Sequence, residues 1–197
     1  MTQLEYARDG KVTKEMKAVA ASEHIDETGL AAAIASGQIV IPANPNHKNL
    51  RPIGIGKGLK TKVNANIGTS GDFFSIEDES RKMRAVVECG CDTVMDLSTG
   101  GDVTAIRRAL LAQAPIPFGN VPVYEMMVDA PKQGTPFVSL TAERMFEYIR
   151  RQAGDGVDFM TIHAGLTLAA IDKLRQKPRL AGVVSRGGSM LIAWMLH

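Results

Sequence analysis

The pattern of apolar and polar positions changes character near residue 60. Before it, short helical runs alternate with irregular segments. Thr13 precedes a run that places Met16, Val19 and Ala20 on one side, which predicts a capped helix. A second helical run covers 28–36 and closes at Gly37. Residues 38–42 read as an extended piece that Pro42 ends. Residues 44–58, rich in Asn, Pro and Gly, predict loop. Leu50, Ile53 and Ile55 are threaded through that loop, so it is expected to pack rather than to link. Gly54-Ile55-Gly56-Lys57-Gly58 reads as a turn.

After residue 60, runs with strand character alternate with runs of helical period. The strand-like runs are 61–68, 92–98, 121–124, 157–163 and 180–185. Ser75 opens the first intervening helix, with Ile76, Met83, Val86 and Val87 on one side. Asp102 caps the next, whose predicted inner face is Val103, Ile106 and Leu110. A helix from Thr141 is expected to bury Ala142, Met145, Phe146 and Ile149. A short helix follows over 167–176, and another begins at Met190. Such alternation predicts βαβ units and a parallel sheet. Two architectures fit, a (β/α)₈ barrel and a doubly wound sheet. No G-x-G-x-x-G opens the first helix, which weakens the dinucleotide-binding form of the second. A barrel needs eight strands and five are read here, so the fold is either smaller than a barrel or part of one.

In parallel α/β folds, sites form at the C-terminal ends of strands. Here those ends are Asn66-Ile67-Gly68, Met95-Asp96-Leu97-Ser98, Tyr124-Glu125, His163-Ala164-Gly165 and Ser185-Arg186-Gly187-Gly188-Ser189. Each carries polar groups or glycine. The last offers hydroxyls, a guanidinium and N–H groups at a helix start, a fit for phosphate; a plain turn with a capping serine fits it too. His163 suits a hydrogen-bonding or acid–base role, or a satisfied core position. Asp96 suits a substrate amine or the local backbone N–H groups. Tyr124 is a phosphate donor or filler. Asn64 and Asn66 share one strand face, and both are expected to look into a barrel interior.

Composition narrows the classes. A net charge of +2 with no basic run argues against nucleic acid as partner. No apolar stretch reaches about 18 residues, and the first residues lack a secretory pattern, so a cytoplasmic protein is expected. Cys89 and Cys91, separated by Gly90, are a poor disulfide pair and too few for an iron–sulfur cluster. They read as small core residues where a helix passes into a strand.

Several segments, in this order and spacing, go beyond a fold-level pattern. They are Tyr6-Ala7-Arg8, Ile41-Pro42-Ala43-Asn44 with Asn46-His47, Asn64-Ala65-Asn66-Ile67-Gly68, and residues 92–100. Val121-Pro122-Val123-Tyr124, Thr161-Ile162-His163-Ala164-Gly165 and residues 182–189 complete the set. Together they resemble the phosphomethylpyrimidine synthase family along essentially the whole chain. The resemblance implies a TIM-type (β/α)₈ barrel of which about five strands are present, over 59–197, after an extension over 1–58. It implies a homodimer; the open strand edges of a five-stranded piece separately predict pairing with a second copy or with a missing C-terminal half. The resemblance also implies conversion of 5-aminoimidazole ribotide to hydroxymethylpyrimidine phosphate in thiamine biosynthesis, by a radical made from S-adenosylmethionine at a [4Fe-4S] cluster, with zinc nearby. The family's substrate contacts fall on Asn66, Met95, Tyr124, His163, Ser185, Arg186 and Gly187.

The chain also departs from the family. The cluster cysteines and metal histidines are expected beyond the fifth strand, and no C-x-x-C occurs, so these residues alone are expected to hold no cluster and to be inactive. Pro45 and Glu125-Met126 differ from the usual pattern. Two alternatives remain: the related 5-hydroxybenzimidazole synthase, toward which Glu125 points, and a non-catalytic ribotide-binding fragment or subunit of a split enzyme.

Overall fold

A computed structural model describes residues 1–197. Three short helices open the chain: α1 (Gln3–Arg8), α2 (Lys14–Glu23) and α3 (Glu27–Ala35). Each has a side-chain cap on an otherwise unpaired backbone N–H: Thr2 for Glu5, Thr13 for Met16, Asp26 for Gly29. Leu30, Ile34, Met16, Val19 and Ala7 join them into one apolar core. The Gly-rich run expected as a turn holds one at Lys57-Gly58, but Ile55–Gly56 form β2, which pairs antiparallel with β1 (Ile39–Val40). Gly56 permits it: a Cβ there would lie 2.1 Å from the Gln38 carbonyl oxygen.

The main sheet is parallel, with strands in chain order: β3 (Asn64–Ile67), β4 (Thr93–Asp96), β5 (Phe118–Asn120) and β6 (Phe159–Met160). Helices α4 (Ile76–Glu88), α5 (Val103–Leu111), α6 (Pro122–Lys132) and α7 (Ala142–Asp155) connect or follow them. Two more, α8 (Leu168–Gln176) and α9 (Arg186–Leu196), complete the chain. The strand order never reverses, so the sheet has no switch point of the doubly wound kind. Ile67, Val94 and Phe118 face Met83 of α4 and Ile106 and Leu110 of α5 in the main core. Alternation then sends Asn64, Asn66 and Met95 to the opposite face, where Asn64 and Asn66 are exposed. The four strands form an open sheet.

Four expectations need correcting. Residues 121–124 are not a strand. The strand is Phe118–Asn120, and Pro122 starts α6, where its missing N–H and fixed φ suit the first helical position. Residues 180–185 form no strand either; they lie beyond the two-residue β6, and Leu180 and Val184 are exposed. Helix α7 buries Tyr148 and Gln152; Met145 and Ile149 pack half-buried against the same core as expected, while Ala142 and Phe146 are exposed. Cys89 is exposed at the C-cap of α4 and Cys91 half-buried, so the helix-to-strand junction holds but the burial does not.

A charged network accounts for the polar side chains that α5, α6 and α7 bury between them. Arg107 of α5, fully buried, donates to Glu125 of α6 at 2.8 Å and to Asp155 of α7 at 2.6 Å. Thr104, Gln152 and Arg151 also contact the Glu125 carboxylate. Burial pushes that carboxyl up, but the Arg107 charge and these hydrogen bonds outweigh it and hold it below the usual range.

A second buried pair fastens the N-terminal region to the sheet. His47 Nδ1 lies 2.6 Å from Asp158 Oδ2, and its Nε2 lies 2.8 Å from the Ala114 carbonyl oxygen. Both partners are acceptors, so the ring donates from both nitrogens and is an imidazolium. Burial opposes that charge, yet the Asp158 hydrogen bond and charge prevail and hold the His47 pKa above its ordinary value. Asp158 also accepts from the N–H groups of Asn44 and Phe118, at 2.8 Å each.

Candidate functional site

The C-terminal ends of the strands and the exposed sheet face form the candidate site. Asn66 and Met95 are register partners on β3 and β4, so they stand side by side. Thr93 Oγ1 donates to Asn64 Oδ1 at 2.8 Å, and Asn64 Nδ2 donates to Asn66 Oδ1 at 2.9 Å. That chain leaves the Asn66 amide N–H groups to donate outward. Thr161, just past β6, lies 3.7 Å from the Met95 sulfur.

A second cluster surrounds the start of α9. Ser185 is its N-cap, with Oγ accepting from the Gly188 N–H at 3.1 Å. Arg186 places its guanidinium 5.4 Å from the centre of the Tyr124 ring, a cation–π arrangement. His163 lies against Gly187, where an added Cβ would meet the ring Cε1 at 2.2 Å. Gly187 is thus the residue type that lets His163 approach the helix start. Tyr124 reaches this cluster from the first turn of α6 rather than from a strand end. Beside it, Pro122, Met126, Met145, Phe146, Leu191 and Trp194 help line an apolar cavity of about 250 Å³ that His163 also borders.

The seven expected site residues therefore fall into two groups. Tyr124, His163, Ser185, Arg186 and Gly187 come together directly, and Asn66 and Met95 form a neighbouring wall. Met95 and Tyr124 both pack on the core built from α6 and α7. Asp96 is not in the wall. It faces the helix layer, 4% exposed, with Oδ1 accepting from Ser98 N at 2.9 Å and Ser98 Oγ at 2.5 Å. Burial is the main reason its pKa is raised to about 6, with the Glu79 carboxylate adding to it. Of its two sequence-level readings, the structural one holds. Thr93, which orients Asn64, was not singled out by the sequence. Its signal was the polar side chain at 93, in register with Asn64.

No three His, Cys, Asp or Glu side chains gather as a metal site. The cysteines, one residue apart at the end of α4, cannot supply the three or four thiolates of an iron–sulfur cluster.

Comparison with known proteins now decides the relationship. The profile of the radical SAM ThiC family matches residues 2–197. This chain belongs to that family. Similar ThiC-family proteins include the phosphomethylpyrimidine synthase of Thermoanaerobacter sp. (strain X514), 52% identical over 197 residues, covering 100% of this chain and 46% of the relative. That of Moorella thermoacetica is 49% identical, with the same coverage. That of Thermus thermophilus is 48% identical over 198 residues, covering 100% of this chain and 45% of the relative. The chain thus spans somewhat less than half the length of the curated ThiC-family relatives it matches. No helix is long and apolar enough to cross a membrane.

Proposed function

We propose that this ThiC-family chain supplies the ribotide-binding wall of a phosphomethylpyrimidine synthase, which converts 5-aminoimidazole ribotide to hydroxymethylpyrimidine phosphate. The cluster at the start of α9 carries the reading. It combines the Arg186 guanidinium, unpaired N–H groups of a helix start, the Ser185 hydroxyl and an adjacent imidazole. Those are the donors a phosphate monoester requires. Asn66 donates from the neighbouring wall, Met95 lies against the ligand, Tyr124 closes the side, and His163 hydrogen-bonds the substrate.

Within this reading, the sheet is the first part of a (β/α)₈ barrel over residues 59–197, and 1–58 are an extension. Strand order without reversal and the exposure of Asn64 and Asn66 on one sheet face support it. The outer edges of β3 and β6 then pair with further strands or with a second copy, since open edges invite pairing. S-adenosylmethionine, the [4Fe-4S] cluster and zinc belong to the proposed whole enzyme. The donor set here does not fit the cluster or the zinc, so these residues alone are expected to bind without turnover. Glu125, which pointed toward 5-hydroxybenzimidazole synthase, is held in the charge network and faces away from the site. It therefore gives no support to that alternative.

Calorimetric titration of the 197-residue chain with 5-aminoimidazole ribotide tests the proposal. Saturable binding is expected, weakened at least about tenfold by Arg186→Ala, in line with loss of a hydrogen bond to a charged group. Equal affinity in the variant, or no binding by the folded chain, would sink it. Light scattering on the same samples checks the open edges, and a monodisperse monomer counts against their pairing.

A further inference from the structure

The loops after β3 and β4 approach more closely than side chains allow. A Cβ on Gly68 would lie 2.7 Å from the backbone at Leu97 and Ser98, and one on Gly100 would lie 1.9 Å from the Ser70 carbonyl oxygen. Leu97 N–H donates to the Ile67 carbonyl at 2.8 Å, and Thr99 N–H to the Thr69 carbonyl at 3.0 Å. Thr69 Oγ1 donates to the Gly100 carbonyl at 2.7 Å. Beneath these contacts runs a buried relay. The Thr69 N–H donates to Ser98 Oγ at 3.1 Å. With that oxygen accepting from Thr69, the Ser98 hydroxyl proton is directed to Asp96 Oδ1, 2.5 Å away. Thr69, Ser98 and Asp96 are all buried. Asp96 lies among the helices, within the fields of Glu79 on α4 and Arg107 on α5, and cannot touch a ligand on the opposite sheet face.

We propose that Asp96, acting through Ser98, is a positioning residue that ties the loop after β3 to the loop after β4 and so fixes Asn66 and Met95 as one rigid wall. The part of this inference that concerns the ligand rests on the ribotide reading above. Asn66 and Met95 each sit two residues before the tied loops' first residues, Gly68 and Leu97. A slip between the loops would therefore separate the Asn66 donor from the Met95 surface. The acceptor oxygen is what the relay needs, so an amide in place of the carboxyl preserves it, and loss of the Ser98 hydroxyl breaks it.

Two readouts on the 197-residue chain test the inference. The first is hydrogen exchange of the Thr69 amide by NMR, and the second is affinity for 5-aminoimidazole ribotide. Ser98→Ala is expected to speed Thr69 exchange at least about tenfold, the effect of losing one buried hydrogen bond, while core amides such as Val94 and Leu110 keep their rates. Ribotide affinity should fall about tenfold with it. Asp96→Asn should keep both within about twofold of the unaltered chain. Unchanged Thr69 exchange in Ser98→Ala, or a Thr69 amide that already exchanges as fast as an open loop in the unaltered chain, overturns the tie. Faster exchange with unchanged affinity overturns the positioning role, as does Asp96→Asn behaving like Ser98→Ala. If the unaltered chain binds no ribotide, the proposed function falls instead, and Thr69 exchange still decides the tie.

Discussion

Asp96 carries a cost that its neighbours only partly offset. Its pKa is raised from 3.8 to about 6, first by burial. Between those values the folded protein holds a proton that the unfolded chain has released, so stability falls as pH rises through that window. The full gap corresponds to at most about 3 kcal/mol at neutral pH. Asp96→Asn is therefore expected to raise the melting temperature at pH 7 and to leave it nearly unchanged near pH 4. Thermal scans across that range check this, and an equal shift at both pH values would refute it. At this scale the sequence is informative where strand alternation or capping chemistry decides. The outward side of Asn66 follows from its spacing to Asn64, and the capping role of Ser185 follows from the glycines after it. Asp96 stays ambiguous in sequence because the same residue type suits a ligand amine and a local N–H, and only burial separates them.

Among the elements, α6 shows how one residue sets a boundary. Pro122 reads as an interruption when 121–124 is taken for a strand, yet it fits the first turn of a helix, and the strand proper lies three residues earlier. The 180–185 run has strand-like composition, but composition alone does not supply a hydrogen-bonded neighbour. The face of α7 departs from its pattern for a different reason. Met145 and Ile149 of its apolar stripe pack against the core, while Gln152 and Asp155 join the network around Arg107, which draws carboxylates from two helices. Arg107→Met should destabilise the fold by about 3–5 kcal/mol, because Glu125 and Asp155 lose their buried partner. Adding Glu125→Leu should recover much of that loss. Urea denaturation of the single and double variants measures both steps, and additive losses would contradict the coupling.

For the molecule as a whole, the parallel α/β character and the alternation through α5 are legible from the alternating periods, whereas α6 and the lack of a strand at 180–185 are not. The N-terminal packing is legible only in part, since α1 and the β1–β2 ribbon depend on contacts that the local pattern does not carry. His47 fastens that region at Ala114 and Asp158, residues that precede β5 and β6, whereas the candidate site lies past the strands' other ends. Its raised pKa gives stability that is complete below about 6.5 and is lost as pH climbs through the folded value. His47→Gln should cost about 3 kcal/mol at pH 6, read by urea denaturation, and should flatten the alkaline loss of stability. It should leave ribotide affinity within about twofold, and a large loss of affinity would show the two ends to be coupled. The sheet thus separates its foundations from its workface. Changes at the His47 anchor are expected to register as altered thermal tolerance, and changes at the proposed ribotide-binding rim as altered ligand preference.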